Sequence, residues 1–210
     1  MARGYFITLE GGEGAGKSTQ AARLTARIEA LGREVVRTRE PGGSVGAEAI
    51  RELLVTGAPE RWSPTTETLL MYAARRDHLE RLITPALDRG AVVVCDRFAD
   101  STRAYQGAAG GVGQKFISDL EVTVLAGVRP DLTLILDLPA EAGLARARLR
   151  EGGEAGRFEN KGLGFHQRLG AFFRKLAADE PERCALIDGG RDEDSVSRAI
   201  WSVVAPRLAA

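Results

Sequence analysis

Five stretches of strand character alternate with helical segments along the 210 residues, and the first strand is joined to the first helix by a glycine-rich loop. A third observation is the run Ala91-Val92-Val93-Val94-Cys95, apolar at consecutive positions as in a strand buried on both faces. Together they predict an α/β fold of three layers, with a five-stranded parallel sheet between helices and ligands at the carboxyl ends of the strands.

Residues 4–10 read as the first strand, and 17–31 as a helix with Ala21, Leu24, Ile28 and Leu31 on one stripe and Gly32 as its stop. Residues 34–38 form a short second strand, followed by the turn-forming cluster 39–43 and a helix over 44–55. The longest helical pattern covers 65–89, with a bend expected at Pro85. The third strand, 91–95, is closed by Asp96. Residues 101–113 are polar and glycine-rich and interrupt the pattern before a helix over 115–126. The fourth strand spans 131–137, and a helix over 140–150 runs into a charged, glycine-rich segment. Helices over 162–178 and 193–208 flank a short fifth strand at 185–187.

Lys plus Arg and Asp plus Glu both count 29, so nothing in the charge balance points to a nucleic-acid binder. Cys95 and Cys184 lie near strand ends and fit core positions of a reduced, cytoplasmic protein. No stretch has the length of a signal peptide core or a membrane span.

Residues 11–18, Gly-Gly-Glu-Gly-Ala-Gly-Lys-Ser, satisfy the pattern GxxxxGK[ST] in its required strand, loop, helix setting. A loop of this kind curls its backbone around a triphosphate and turns successive N–H groups on the oxygens. The nucleotide-binding candidates are therefore Gly11, Gly12, Glu13, Gly14, Ala15, Gly16, Lys17, Ser18 and Thr19. Lys17 would reach the β- and γ-phosphates, while Ser18 would ligate Mg²⁺. Asp96, at the end of a buried strand, is the second candidate for the metal, and Arg97 beside it suits a phosphorylated acceptor.

Beyond that loop, the sequence resembles the bacterial thymidylate kinases through a series of motifs in order: LEGGEGAGKSTQ at 9–20, TREPGG at 38–43, YAARRDH at 72–78, DRFADSTRAYQG at 96–107 and RPDLT at 129–133. The resemblance covers nearly the whole chain. It implies a single kinase domain over 1–210 with a short mobile lid at about 147–160. The implied reaction is transfer of the ATP γ-phosphoryl group to the 5′-phosphate of dTMP, giving dTDP and ADP in dTTP synthesis. Mg²⁺ and a homodimer are implied as well.

The resemblance also assigns residues. Glu13 would stand near the sugar 3′-hydroxyl and acceptor phosphate, and Arg97 would hold that phosphate, with Glu40 and Arg51 lining the pocket. Arg75 would read the thymine edge, Ser101 and Gln106 would approach the base, and Tyr105 would crowd a ribose 2′-hydroxyl. The family's base-stacking aromatic aligns with Met71, with Tyr72 as the neighbouring alternative. Position 14 is glycine where some family members carry an arginine, so a lid arginine is expected at the transferred phosphoryl group. Arg148, Arg150 and Arg157 are the candidates. Two rival readings are another small-molecule kinase and a GTP-dependent switch. The switch would need Asn-Lys-x-Asp, and the Asn160-Lys161 pair is followed by Gly162 and Leu163.

Overall fold

The computed structural model describes residues 3–58, 60–150 (Arg150 by its backbone) and 157–209. The five strands are β1 (Phe6–Gly11), β2 (Val35–Arg39), β3 (Val92–Asp96), β4 (Leu132–Asp137) and β5 (Cys184–Asp188), all parallel in the order β2-β3-β1-β4-β5. The sheet therefore has the predicted class, and β1 and β3, which carry the glycine-rich loop and Asp96, are neighbours. Leu9 stands in register with Asp96.

Consecutive apolar residues serve both faces because side chains alternate across a strand. Ile7, Leu9, Val92, Val94, Leu132 and Leu134 pack on α1 (Lys17–Glu29) and α9 (Glu193–Ala209) through Ala21, Leu24, Ile28, Val196 and Ile200. The intervening residues Phe6, Val93 and Cys95 face Leu79, Ile83, Leu87, Phe98 and Leu125 on the other side. Ile135 and Cys184 join Phe165, Leu169 and Phe173 of α8 (Leu163–Asp179) in a third cluster. Both cysteines are buried and free.

Two departures from the sequence reading concern helices. The predicted helix 65–89 is divided: α3 (Pro64–His78) passes through a π-helical turn at Leu79–Ile83 into α4 (Thr84–Asp88). Pro85 has no N–H to give to the preceding turn, and the wider π turn accommodates it. Residues 101–113 were expected to be irregular, yet α5 (Ala99–Thr102) continues as a π-helical turn over Arg103–Ala109 before α6 (Gln114–Leu125). Buried Ala104, Tyr105, Gln106 and Gly107 hold that turn in the interior, so tertiary burial overrides the loop-like composition. The remaining α-helices among the described residues are α2 (Val45–Val55) and α7 (Ala140–Arg150), and a 3-10 turn covers Glu159–Lys161. No helix among the described residues is long and apolar enough to cross a membrane.

Candidate active site

The loop after β1 has the backbone its sequence requires. Gly14 and Gly16 take φ of +66° and +89°, which side chains rarely adopt, and Gly16 opens α1. A Cβ at Gly14 would also fall on the Gly143 carbonyl oxygen of α7. That close approach excludes a longer residue at this position. Lys17 is buried, and its Nζ donates to the carbonyls of Gly12 (2.6 Å) and Gly11 (3.2 Å). Burial, reinforced by the charge on Arg97, pushes its pKa down to about 8 despite nearby carboxylates. Ser18 Oγ donates to Asp96 Oδ2 at 2.5 Å, so β1–β3 pairing brings the two metal candidates together across 78 residues. A hydroxyl and one carboxylate suit Mg²⁺, which keeps most of its shell for water and phosphate oxygens.

Arg97 takes a left-handed backbone, φ +70°, a conformation costing on the order of 1–3 kcal/mol for a residue with a side chain. Its surroundings fix it. The Arg97 N–H donates to the Leu9 carbonyl (2.9 Å), and the next N–H, from Phe98, donates to Glu10 Oε1 (2.8 Å). Glu10 is fully buried and also accepts from Ser101 Oγ (2.6 Å). Burial, then the neighbouring Asp100 charge, push its carboxyl up to about 7 against those hydrogen bonds.

The turn aims the Arg97 guanidinium at the glycine-rich loop. Nη1 donates to the Gly11 carbonyl (3.1 Å), and Nη2 meets Glu13 Oε1 at 3.0 Å. Tyr105 lies beneath the guanidinium, 4.9 Å from its carbon to the ring centre, and its hydroxyl donates to the same Glu13 oxygen at 2.8 Å. Burial alone would raise the Glu13 pKa, but Arg97, Lys17 and the Tyr105 hydroxyl hold it at about 2.

Beside this cluster opens a cavity of about 290 Å³. Glu13 and Arg97 lie where it adjoins the loop, and Met71, Arg75, Phe98 and Gln106 belong to its wall. Glu40, Arg51, Ser101, Tyr105 and Arg157 line it too, so most of the predicted acceptor residues converge there. Arg75 is only 2 % exposed, and its guanidinium is clamped: Nε to Glu40 Oε2 (2.7 Å), Nη2 to the Phe98 carbonyl (3.1 Å) and Thr102 Oγ1 (3.0 Å). Its Nη1 has no hydrogen-bond partner among the described residues. Glu40 is held in turn by His78 Nδ1 (3.1 Å), whose other nitrogen meets Thr38 Oγ1 (2.8 Å). Arg51 donates to the Pro41 carbonyl at 2.7 Å.

Two of the candidate residues have partners of their own. Tyr72 is not part of the cavity wall: it is 1 % exposed, its hydroxyl donates to Glu121 (3.2 Å), and its ring packs under Arg75 at 4.8 Å. One step along a helix turns a side chain by about 100°, which puts Met71 on the cavity and Tyr72 in the core. Arg157, one of the three lid candidates for the transferred phosphoryl group, lines the cavity. It pairs with Glu67 (2.5 Å) and donates to the Leu54 (3.1 Å) and Ala58 (3.3 Å) carbonyls. Arg148 is exposed on α7, while the side chain of Arg150 and residues 151–156 lie outside the described residues.

Sequence reasoning missed Glu10, Glu67, His78 and Phe98. For two of them a signal existed, since Glu67, Met71 and Arg75 recur every four residues and His78 follows three later, one face of α3.

A sequence model described as thymidylate kinase matches residues 9–200. The chain belongs to the thymidylate kinase family. It is 63 % identical over 208 residues to a thymidylate kinase of Caulobacter vibrioides, covering 99 % of both chains. With that of Jannaschia sp. it shares 52 % identity over 204 residues, 97 % of each. Among solved structures, thymidylate kinase from Ehrlichia chaffeensis superposes with a TM-score of 0.79 at 30 % identity, over 96 % of this chain and 99 % of that one. The family thus fits both the glycine-rich loop and the neighbouring cavity.

Proposed function

We propose that this chain phosphorylates dTMP to dTDP with ATP as donor, the cavity at Arg97 and Arg75 being the acceptor site. The observation that carries the reading is the junction at Glu13: a residue of the triphosphate-binding loop is also a wall of the cavity, bridged to it by Arg97 and Tyr105. Donor and acceptor phosphates bound on the two sides would be neighbours.

In this reading Gly11 to Thr19 cradle the ATP phosphates, and Lys17 leaves the loop carbonyls for the β- and γ-phosphates. Ser18 and Asp96 would hold Mg²⁺, whose contribution is to neutralise phosphate charge. Arg97 grips the dTMP phosphate with its planar fork, and Glu13 keeps that fork and the sugar in place. Arg75 offers its Nη1 to an acceptor on the base, Gln106 meets the adjacent position, and Met71 supplies an apolar wall for the ring. Ser101 steadies Arg97, which donates to its Oγ at 3.3 Å. Glu40 and Arg51 shape the pocket, and Tyr105 disfavours a 2′-hydroxyl. Such a site works by positioning and charge neutralisation, with no covalent enzyme intermediate.

A lid at about 147–160 would close over the donor, with Arg148 or Arg150 reaching the γ-phosphate and Arg157 bracing the acceptor side. A cytoplasmic homodimer completes the reading. The test is ADP release with ATP and Mg²⁺ against dTMP, dUMP, the ribose analogue of dTMP, dCMP, dGMP and AMP. Strong preference for dTMP is expected. Equal turnover with a purine monophosphate would refute the acceptor assignment.

A further inference from the structure

Glu67 is a carboxylate almost entirely removed from solvent, 6 % exposed, on the first turn of α3. Burying it demands partners, and two stand among the described residues. Gln106 Nε2 donates to Oε1 at 2.7 Å, and Arg157 pairs with Oε2 at 2.5 Å. The Gln106 side chain is itself 2 % exposed and belongs to the cavity wall.

A glutamine amide has a donor branch and an acceptor branch of nearly the same shape, and neighbours decide which way it points. A carboxylate paired with a guanidinium only accepts. The branch of Gln106 turned to Glu67 must therefore be the NH₂, leaving the carbonyl oxygen as the branch available to a ligand. Arg75, clamped at Nε and Nη2, can only donate through Nη1. Brought to one base edge, that donor and that acceptor match O4 and N3–H of a pyrimidine, and oppose a 4-amino group and an unprotonated N3.

We propose that Glu67 is a positioning residue for base specificity: without touching the substrate, it fixes the polarity of the Gln106 amide so that the site accepts thymine and rejects cytosine. This rests on Gln106 standing at the base, as in the acceptor-site reading above. Arginine cannot reverse its polarity, but an untethered glutamine can, so the carboxylate at 67 removes the one adjustable element of the pair.

The test compares kcat/KM for dTMP and dCMP in the parent enzyme, Glu67→Gln, Gln106→Leu, and the transposed double variant Glu67→Gln/Gln106→Glu. Glu67→Gln should lower the dTMP-to-dCMP ratio by about tenfold or more, the scale of one mispaired buried hydrogen bond. Its effect should fall on KM more than on kcat. The double variant restores an acceptor oxygen at 106 and should return the ratio to within about threefold of the parent, a rescue that a purely structural role of Glu67 would not produce. An unchanged ratio in Glu67→Gln, or no rescue by the transposition, overturns the proposal. An unchanged ratio in Gln106→Leu instead removes Gln106 from the base and overturns the acceptor-site reading beneath it. If Glu67→Gln does not fold, the double variant decides: retained dTMP preference supports the inference, and its loss refutes it.

Discussion

Replacing Arg97 by lysine separates charge from geometry at the junction of the two sites. The guanidinium uses two nitrogens at once, Nη1 on the Gly11 carbonyl and Ser101 Oγ, Nη2 on Glu13, while its face rests on Tyr105. An ammonium on a flexible stem can keep the ion pair with Glu13 but cannot span these partners and a phosphate together. The loss is one to two charge-assisted hydrogen bonds, each worth about 1.5–3 kcal/mol. At about 1.4 kcal/mol per decade, kcat/KM for dTMP should fall by between roughly tenfold and roughly ten-thousandfold. The KM for ATP should change by less than about threefold, because Lys17 and the loop backbone carry that site. Steady-state kinetics with each substrate varied would measure this. Parent-like dTMP kinetics in Arg97→Lys would refute the role of the fork, and an equal loss on the ATP side would refute the division into two sites.

Three further outcomes follow from the same geometry. Lys17→Ala should abolish phosphoryl transfer while calorimetry still detects dTMP binding, and loss of both would contradict the separation of the sites. Tyr72→Phe should leave the dTMP KM within about twofold and cost about 1 kcal/mol in denaturant unfolding, since only the bond to Glu121 is lost; a large rise in KM would return Tyr72 to the base. Glu10 supplies a pH dependence. Its folded pKa, about 7, lies above the ordinary 4.5, so the folded state holds the extra proton between these values. Stability from this group is complete below 4.5 and is lost as pH rises through 7. The Glu10→Gln variant should therefore gain stability relative to the parent over that interval, and a gain on acidification would be the wrong sign.

The parts legible from sequence were those whose signal is local. The strand, loop and helix around Lys17 are contiguous, and the consecutive valines before Asp96 announce a strand buried on both faces. The acceptor side was harder because its chemistry is assembled across the chain. Glu40 and Arg75 are 35 residues apart, and Gln106 reaches Glu67 across 39. Serine, threonine and glycine over 101–113 looked irregular, yet Glu10 binds the N–H groups of Phe98 and Ser101 and starts a helical segment that burial then completes. The uncertainty between Met71 and Tyr72 had a simpler origin. Adjacent apolar residues on a helix differ by one rotation step, and only the position of Glu121 on α6 decides which one turns inward.

A crystal structure with dTMP bound tests the central claim most directly, because it locates both ends of the acceptor at once. The phosphate is expected at Arg97, the ring against Met71, and the O4/N3 edge at Arg75 and Gln106. A nucleotide bound with its phosphate away from Arg97, or with that edge turned from Arg75, would contradict it.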